Sequence, residues 1–199
     1  MMATTHVLAG MLVGLAMAPL APGAATPVVL AGAVGGLAPD LDALRNHRRD
    51  LHFPVYASAS AVVLAAVTAV TGMPWTAVAT AFLGAAGLHA VTDALGGGRS
   101  LRPWAESVDR AVYSHAHGRW WRPRRVVPYD GAPADFALGV GLAVPTALLI
   151  DGWLTWLVLG LVLASGAYTA VRRRIPDVVD SLVDRADRVI GRRTSGRRE

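Results

Sequence analysis

The sequence predicts an all-α integral membrane protein: a bundle of about six apolar helices, the first two and the fifth short, followed by a C-terminal amphipathic helix. Three observations carry this. Apolar residues make up 53% of the 199 residues and charged residues only 17%, against roughly 25% charged in ordinary soluble domains. The charges are absent from long runs: Val7 to Pro39 has none, Pro54 to Leu95 has Asp93 alone, and Phe136 to Val171 has Asp151 alone. Runs that are apolar on every side belong in a protein interior or in lipid, and a chain of this length has no interior for three of them. Finally, there is no cysteine, which excludes a disulfide scaffold, a thiolate metal site and a cysteine nucleophile.

A spanning helix needs about 20 apolar residues. In chain order, Val7–Leu20 and Pro27–Ala38 are short and split by Ala21-Pro22-Gly23, so they read as a tight hairpin or a re-entrant pair. A cleaved signal peptide is disfavoured here because no Lys or Arg precedes the first apolar run. Pro54–Gly72 and Trp75–Leu95 are of full length, parted at Gly72-Met73-Pro74. Phe136–Ile150 is short and turns at Asp151-Gly152 into Trp153–Val171. From Arg172 onward, Ile175, Val178, Val179, Leu182, Val183, Ala186 and Ile190 recur at helical spacing, a tail expected along the membrane surface, with Arg192–Glu199 disordered. The chain thus divides into a four-segment core (1–95), a basic and aromatic loop (96–134), a helical hairpin (135–171) and a basic amphipathic tail (172–199).

The net charge is +5, with every cation an arginine. Three arginines (Arg45, Arg48, Arg49) lie in 39–53, seven (Arg99, Arg102, Arg110, Arg119, Arg122, Arg124, Arg125) in 96–134, and nine from Arg172 onward. The connections at 21–26, 73–74 and 151–152 hold none. Six spans put all three basic regions on one side, and the excess of positive charge assigns that side to the cytoplasm of a cell (inner or plasma) membrane, with both termini cytoplasmic.

The same span count brings seven candidate metal ligands to one depth: His6, Asp40, Asp42, His47, His52, His89 and Asp93. Histidine nitrogen and carboxylate oxygen are the ligands of zinc, manganese and iron where sulfur is absent. His89 and Asp93 are four apart on a helix and project from one face; ionisable groups inside a span are costly and generally functional. Asp40 is expected as ligand or bridge, and Asp42 as ligand or as the carboxylate that orients a histidine. Each has a plainer alternative: a helix-start histidine at 6, a helix stop at 39–42, an interfacial lipid-binding face at 47–52, and an interhelical hydrogen bond at 89–93. His115 is a further candidate whose position nothing fixes. The Arg/Trp segment His115–Arg125 has the composition of a headgroup-level stretch, favouring the lipid bilayer over nucleic acid as its partner.

In these residues the chain resembles the membrane-bound metal-dependent hydrolases grouped with the LexA-binding, inner-membrane-associated putative hydrolase. The resemblance covers roughly residues 5–95. It rests on Thr5-His6, a Gly-rich segment ending Pro39-Asp40-Leu41-Asp42, His47-Arg48 with His52, and His89 with Asp93. The family often reads His-Arg-Gly-x-Thr-His-Ser where this chain has His-Arg-Arg-Asp-Leu-His-Phe. The order of ligands is also similar, more distantly, to the zinc phospholipase C and P1 nuclease group, and that similarity implies phosphoester hydrolysis. The second His-x-x-x-Glu helix of that group has no counterpart, since the only glutamates are Glu106 and Glu199; one or two metals fit better than three.

The expectation is therefore a membrane-embedded, metal-dependent hydrolase, a phosphoesterase by preference. Zinc is the first choice of divalent metal, with manganese or iron as alternatives. Asp40, Asp42 and Arg48 would be the catalytic side chains, with Arg48 holding the phosphate of a substrate such as a phospholipid. The alternatives are a non-catalytic anchor that recruits a cytoplasmic protein partner and a transporter. The transporter is disfavoured because the ionisable groups sit at one surface and not at the midplane.

Overall fold

The computed structural model describes residues 1–98, 100–105 and 108–195, with side chains through residue 188. It is 71% helical with almost no sheet. The helices are α1 (Ala3–Met17), α2 (Ala25–Leu37), α3 (Pro54–Thr71), α4 (Pro74–Thr92), α5 (Pro133–Leu149), α6 (Trp153–Val171) and α7 (Ile175–Ser195). Between α4 and α5 lies a two-stranded antiparallel hairpin, β1 (Tyr113–Ser114) with β2 (Arg119–Trp120), pairing Tyr113 with Trp120.

Proline opens α3, α4 and α5, at the position where its missing N–H is not needed. Gly72, at φ 62°, closes α3 in the left-handed conformation that glycine adopts without penalty. α1 and α2 pack backbone to backbone: a Cβ on Gly10 or on Gly32 would run into the other residue's carbonyl oxygen. Such small-residue crossings are how helices gain van der Waals contact in lipid. Val7, Leu8, Met11, Val29 and Ala33 then form the main core with Ala143 of α5, Ile150 just after it, and Leu154 and Val158 of α6. Ala77 and Ala81 of α4 close against Ala21 and Val28 at the opposite end from the basic loops.

Five helical stretches are long and apolar enough to cross a membrane, and Pro133–Leu149 is a shorter apolar helix. The outward faces agree with a lipid surround: Val62, Val70, Leu148, Trp156 and Leu163 are each more than 70% exposed, which water would penalise.

Two expectations change. The first two segments are not short. α1 begins at Ala3, and 3-10 turns at Ala18–Leu20 and Ala38–Leu44 extend both helices to 18 and 20 residues. Pro19 and Pro39 head those turns, which proline permits at a first helical position even as it ends the α-helix before it. The tail helix also continues through Arg192 and Arg193 to Ser195, since arginine is a good helix former. Residues 196–199, Arg99 and the side chain of Ile190 lie outside the described residues.

All three basic regions meet at one end of the bundle. The Tyr113 N–H donates to the Arg48 carbonyl, the Arg124 N–H to Ala94 and the Val127 N–H to Leu95. The Arg172 guanidinium binds the Asp130 carboxylate and the Leu101 carbonyl. Arg102 pairs with Asp177 and Asp180, tying α7 to the loop.

Candidate metal centre

Four pieces of chain converge at that end. The first turn of α1 supplies His6. The 3-10 turn after α2 supplies Asp40 and Asp42, the loop 45–53 supplies His47, Arg48 and His52, and the end of α4 supplies His89 and Asp93. Gly36 makes the convergence possible: a Cβ there would strike the carbonyl oxygen of His6, so only glycine lets α2 end against the start of α1.

One ligand atom each from Asp40, His52, His89 and Asp93 lies within 4.8 Å of the others, a group able to hold a metal ion. Asp93 Oδ2 is central. His52 Nε2 lies 3.4 Å from it, His89 Nε2 3.6 Å, and Arg48 Nε 3.2 Å. His89 Nε2 is also 3.4 Å from Asp40 Oδ1. None of these approaches has hydrogen-bond geometry, and Asp93 Oδ2, His52 Nε2 and His89 Nε2 have no hydrogen-bond partner among the described residues.

The tautomers explain why. His89 Nδ1 is 2.6 Å from the Gly36 carbonyl oxygen, which can only accept, so Nδ1 carries the hydrogen. His52 Nδ1 donates to Asp42 Oδ2 at 2.9 Å. In the neutral rings both Nε2 atoms are then bare lone pairs, aimed at carboxylate oxygens that also only accept. Buried acceptors facing one another are costly; the donor beside them, Arg48 Nε, approaches only Asp93 Oδ2 and without hydrogen-bond geometry, and a cation among them would convert each into a ligand.

Asp42 stands behind this ring and not in it. Its carboxylate is fully buried and accepts from His47 Nδ1 and His52 Nδ1 and from the N–H groups of Arg48, Arg49 and Leu51. The loop 47–52 is wound around this one side chain. His47 is accordingly held on Asp42, partly exposed, outside the four-residue group. His6 is also outside it: Nε2 donates to Asp93 Oδ1 at 3.2 Å, and the ring stacks on His89 at 3.7 Å between centroids. The Met1 amino group reaches the same oxygen. Asp93 therefore presents one oxygen to its supports and the other to the ring. Arg48 is buried at φ 64°, with Nη1 lacking a partner among the described residues. That backbone conformation costs a non-glycine residue about 1–3 kcal/mol and recurs at functional sites.

His115 does not join the ring. Its Nε2 donates to the Arg49 carbonyl at 2.6 Å and its ring stacks on Phe53, bracing the ligand loop. Sequence reasoning missed Asp135, in the first turn of α5. It is fully buried and accepts from the Met2 and Gly131 N–H groups and the Thr5 hydroxyl, fixing the start of α1 on which His6 sits. A lone acid at the mouth of an apolar helix was the available signal.

The arrangement offers two imidazoles and two carboxylates on rigid, buried supports, open on the side of Asp40, whose side chain is 24% exposed. No family model, curated protein or solved structure matches this chain.

Proposed function

We propose that the protein is a membrane-embedded, metal-dependent hydrolase acting on phosphoesters, with Asp40, His52, His89 and Asp93 holding a divalent metal, zinc by preference. One observation carries the reading: the two Nε2 lone pairs and Asp93 Oδ2, buried and facing one another without a hydrogen bond. The donor set of imidazole and carboxylate fits zinc, manganese or iron.

When bound, such a metal supplies Lewis acidity, lowering the pKa of a water to about 7 and polarising a phosphoryl oxygen. The chain's own residues supply the rest. Asp42 and the Gly36 carbonyl fix the two imidazoles with Nε2 inward, the role outer carboxylates and carbonyls play at metal sites. Arg48, with a free guanidinium N–H, holds a phosphate oxygen. Asp40, on the open side, accepts the proton that water loses on attack. His6 holds Asp93 in place through its other oxygen. The resemblance carried by residues 5–95 supports the same reading. The arginine-bearing loops gathered around the site support a cytoplasmic opening.

The test is metal analysis of detergent-purified protein, followed by phosphomonoester and phosphodiester cleavage with and without chelator. Bound metal and chelator-sensitive cleavage are expected. Metal-free protein, in which chelator changes neither stability nor activity, would overturn the reading.

A further inference from the structure

We propose that a membrane amphiphile with a phosphate head is the ligand, its tail lying in a cavity that reaches from the metal centre into the bilayer along α6. The inference depends on the hydrolase reading for what is cleaved, but not for what binds. The cavity measures about 650 Å3, within the usual range for small-molecule sites of roughly 300–1,000 Å3. Its polar end is formed by Asp40, His47 and Arg48. Arg48 is 6% exposed and its Nη1 has no partner among the described residues, so this end presents a buried donor suited to a phosphate oxygen.

Apolar side chains line the rest of it: Met2, Leu101 and Ile175 at the level of the basic loops, and Ala164 below them on α6. Ala164 precedes Arg172 by eight residues, about 12 Å along a helix axis, and lies inside the uninterrupted apolar run of α6. The wall therefore descends from the basic surface well into the depth that lipid tails occupy. The polar groups on the way down are already engaged: the Tyr168 hydroxyl and the Arg172 guanidinium both bind Asp130. A polar head beside a wall that descends along α6 to the exposed Ala164 suits an amphiphile drawn sideways out of the membrane.

In the reaction a water oxygen forms the new P–O bond, the P–O bond to the alkyl chain breaks, and the alcohol leaves with a proton from that water. The test compares dodecyl phosphate with p-nitrophenyl phosphate, which has no tail, on the unaltered protein and on Ala164→Trp in nanodiscs. Metal content is measured on both, and binding of radiolabelled dodecyl phosphate is measured after chelation. The bulky ring should block the slot, cutting cleavage and binding of dodecyl phosphate about tenfold or more. Cleavage of p-nitrophenyl phosphate and metal content should be unchanged. Equal losses for both substrates, or no loss for either, overturns the tail site. If the unaltered protein holds metal but cleaves neither substrate, the hydrolase reading fails. The tail site is then judged by binding alone, and equal retention by both proteins overturns it.

Discussion

Replacing Asp42 by asparagine separates the residue that orients the ring from those that form it. Asp42 has five donors around two oxygens. An asparagine does best with its oxygen on the Oδ2 side, keeping His52 and the Arg49 and Leu51 N–H groups. Its NH2 then faces His47 and the Arg48 N–H. His47 can move its hydrogen to Nε2 and accept; the Arg48 N–H cannot, and a buried donor without an acceptor costs about 1–3 kcal/mol. The three retained bonds lose their charge assistance, about 1 kcal/mol each, while the amide is cheaper to bury than a carboxylate. A net loss of about 2–4 kcal/mol follows, or roughly 5–15 °C in thermal midpoint for a chain of this length. Metal affinity should fall about 10–100-fold through the loosened His52. Asp40→Asn is the counterpart: Asp40 holds no backbone group among the described residues and is partly exposed, so the metal-free midpoint should hardly move while metal binding is lost. The assay is the thermal midpoint of chelator-stripped protein by tryptophan fluorescence, with metal affinity by competition against a chelating dye. An unmoved metal-free midpoint in Asp42→Asn, or undiminished affinity in Asp40→Asn, would refute the division of roles.

His89→Ala should abolish metal binding and cleavage with the fold retained, since alanine favours the helix. Asp93→Asn should behave nearly the same, because an amide is a poor ligand; full metal occupancy in Asp93→Asn removes that residue from the ring. Substituting glutamine for Arg122, Arg124 and Arg125 should weaken binding to vesicles of anionic lipid, at about 1 kcal/mol per cation, and leave metal content intact. Loss of metal instead would tie the loop to the site. Reporter fusions at Gly97 and at the C-terminus should both read as cytoplasmic; an external signal from either contradicts the topology.

Charge-poor runs located each helix among the described residues that is long and apolar enough to span, because a helix in lipid must be apolar all round and that pattern needs no tertiary information. What the runs did not give was length. The first segment gains its length at the start, from Ala3, and the second gains Ala25 and Thr26 at its start and the turn headed by Pro39 through Leu44 at its end, where composition reads proline and the following aspartates as a stop. The hairpin at Tyr113–Trp120 was also invisible. Two residues per strand have no periodicity, and the hairpin is docked by a long-range bond from the Tyr113 N–H to the Arg48 carbonyl.

The site was legible as a set but not as a hierarchy. Topology alone predicted that His6, Asp40, Asp42, His47, His52, His89 and Asp93 share one depth. Which of them face inward is decided by acceptors that sequence does not advertise. The Gly36 carbonyl turns His89 Nε2 toward Asp93, and Asp42 does the same for His52. His47, identical in type and only five residues from His52, is diverted by the other oxygen of that same carboxylate. A glycine in a Gly-rich helix reads as packing, and one carboxylate after Pro39 reads like the next. Only the close approach of α2 to the start of α1, fixed at Gly36, and the winding of residues 47–52 around Asp42 make Asp40 a member of the ring and Asp42 its support.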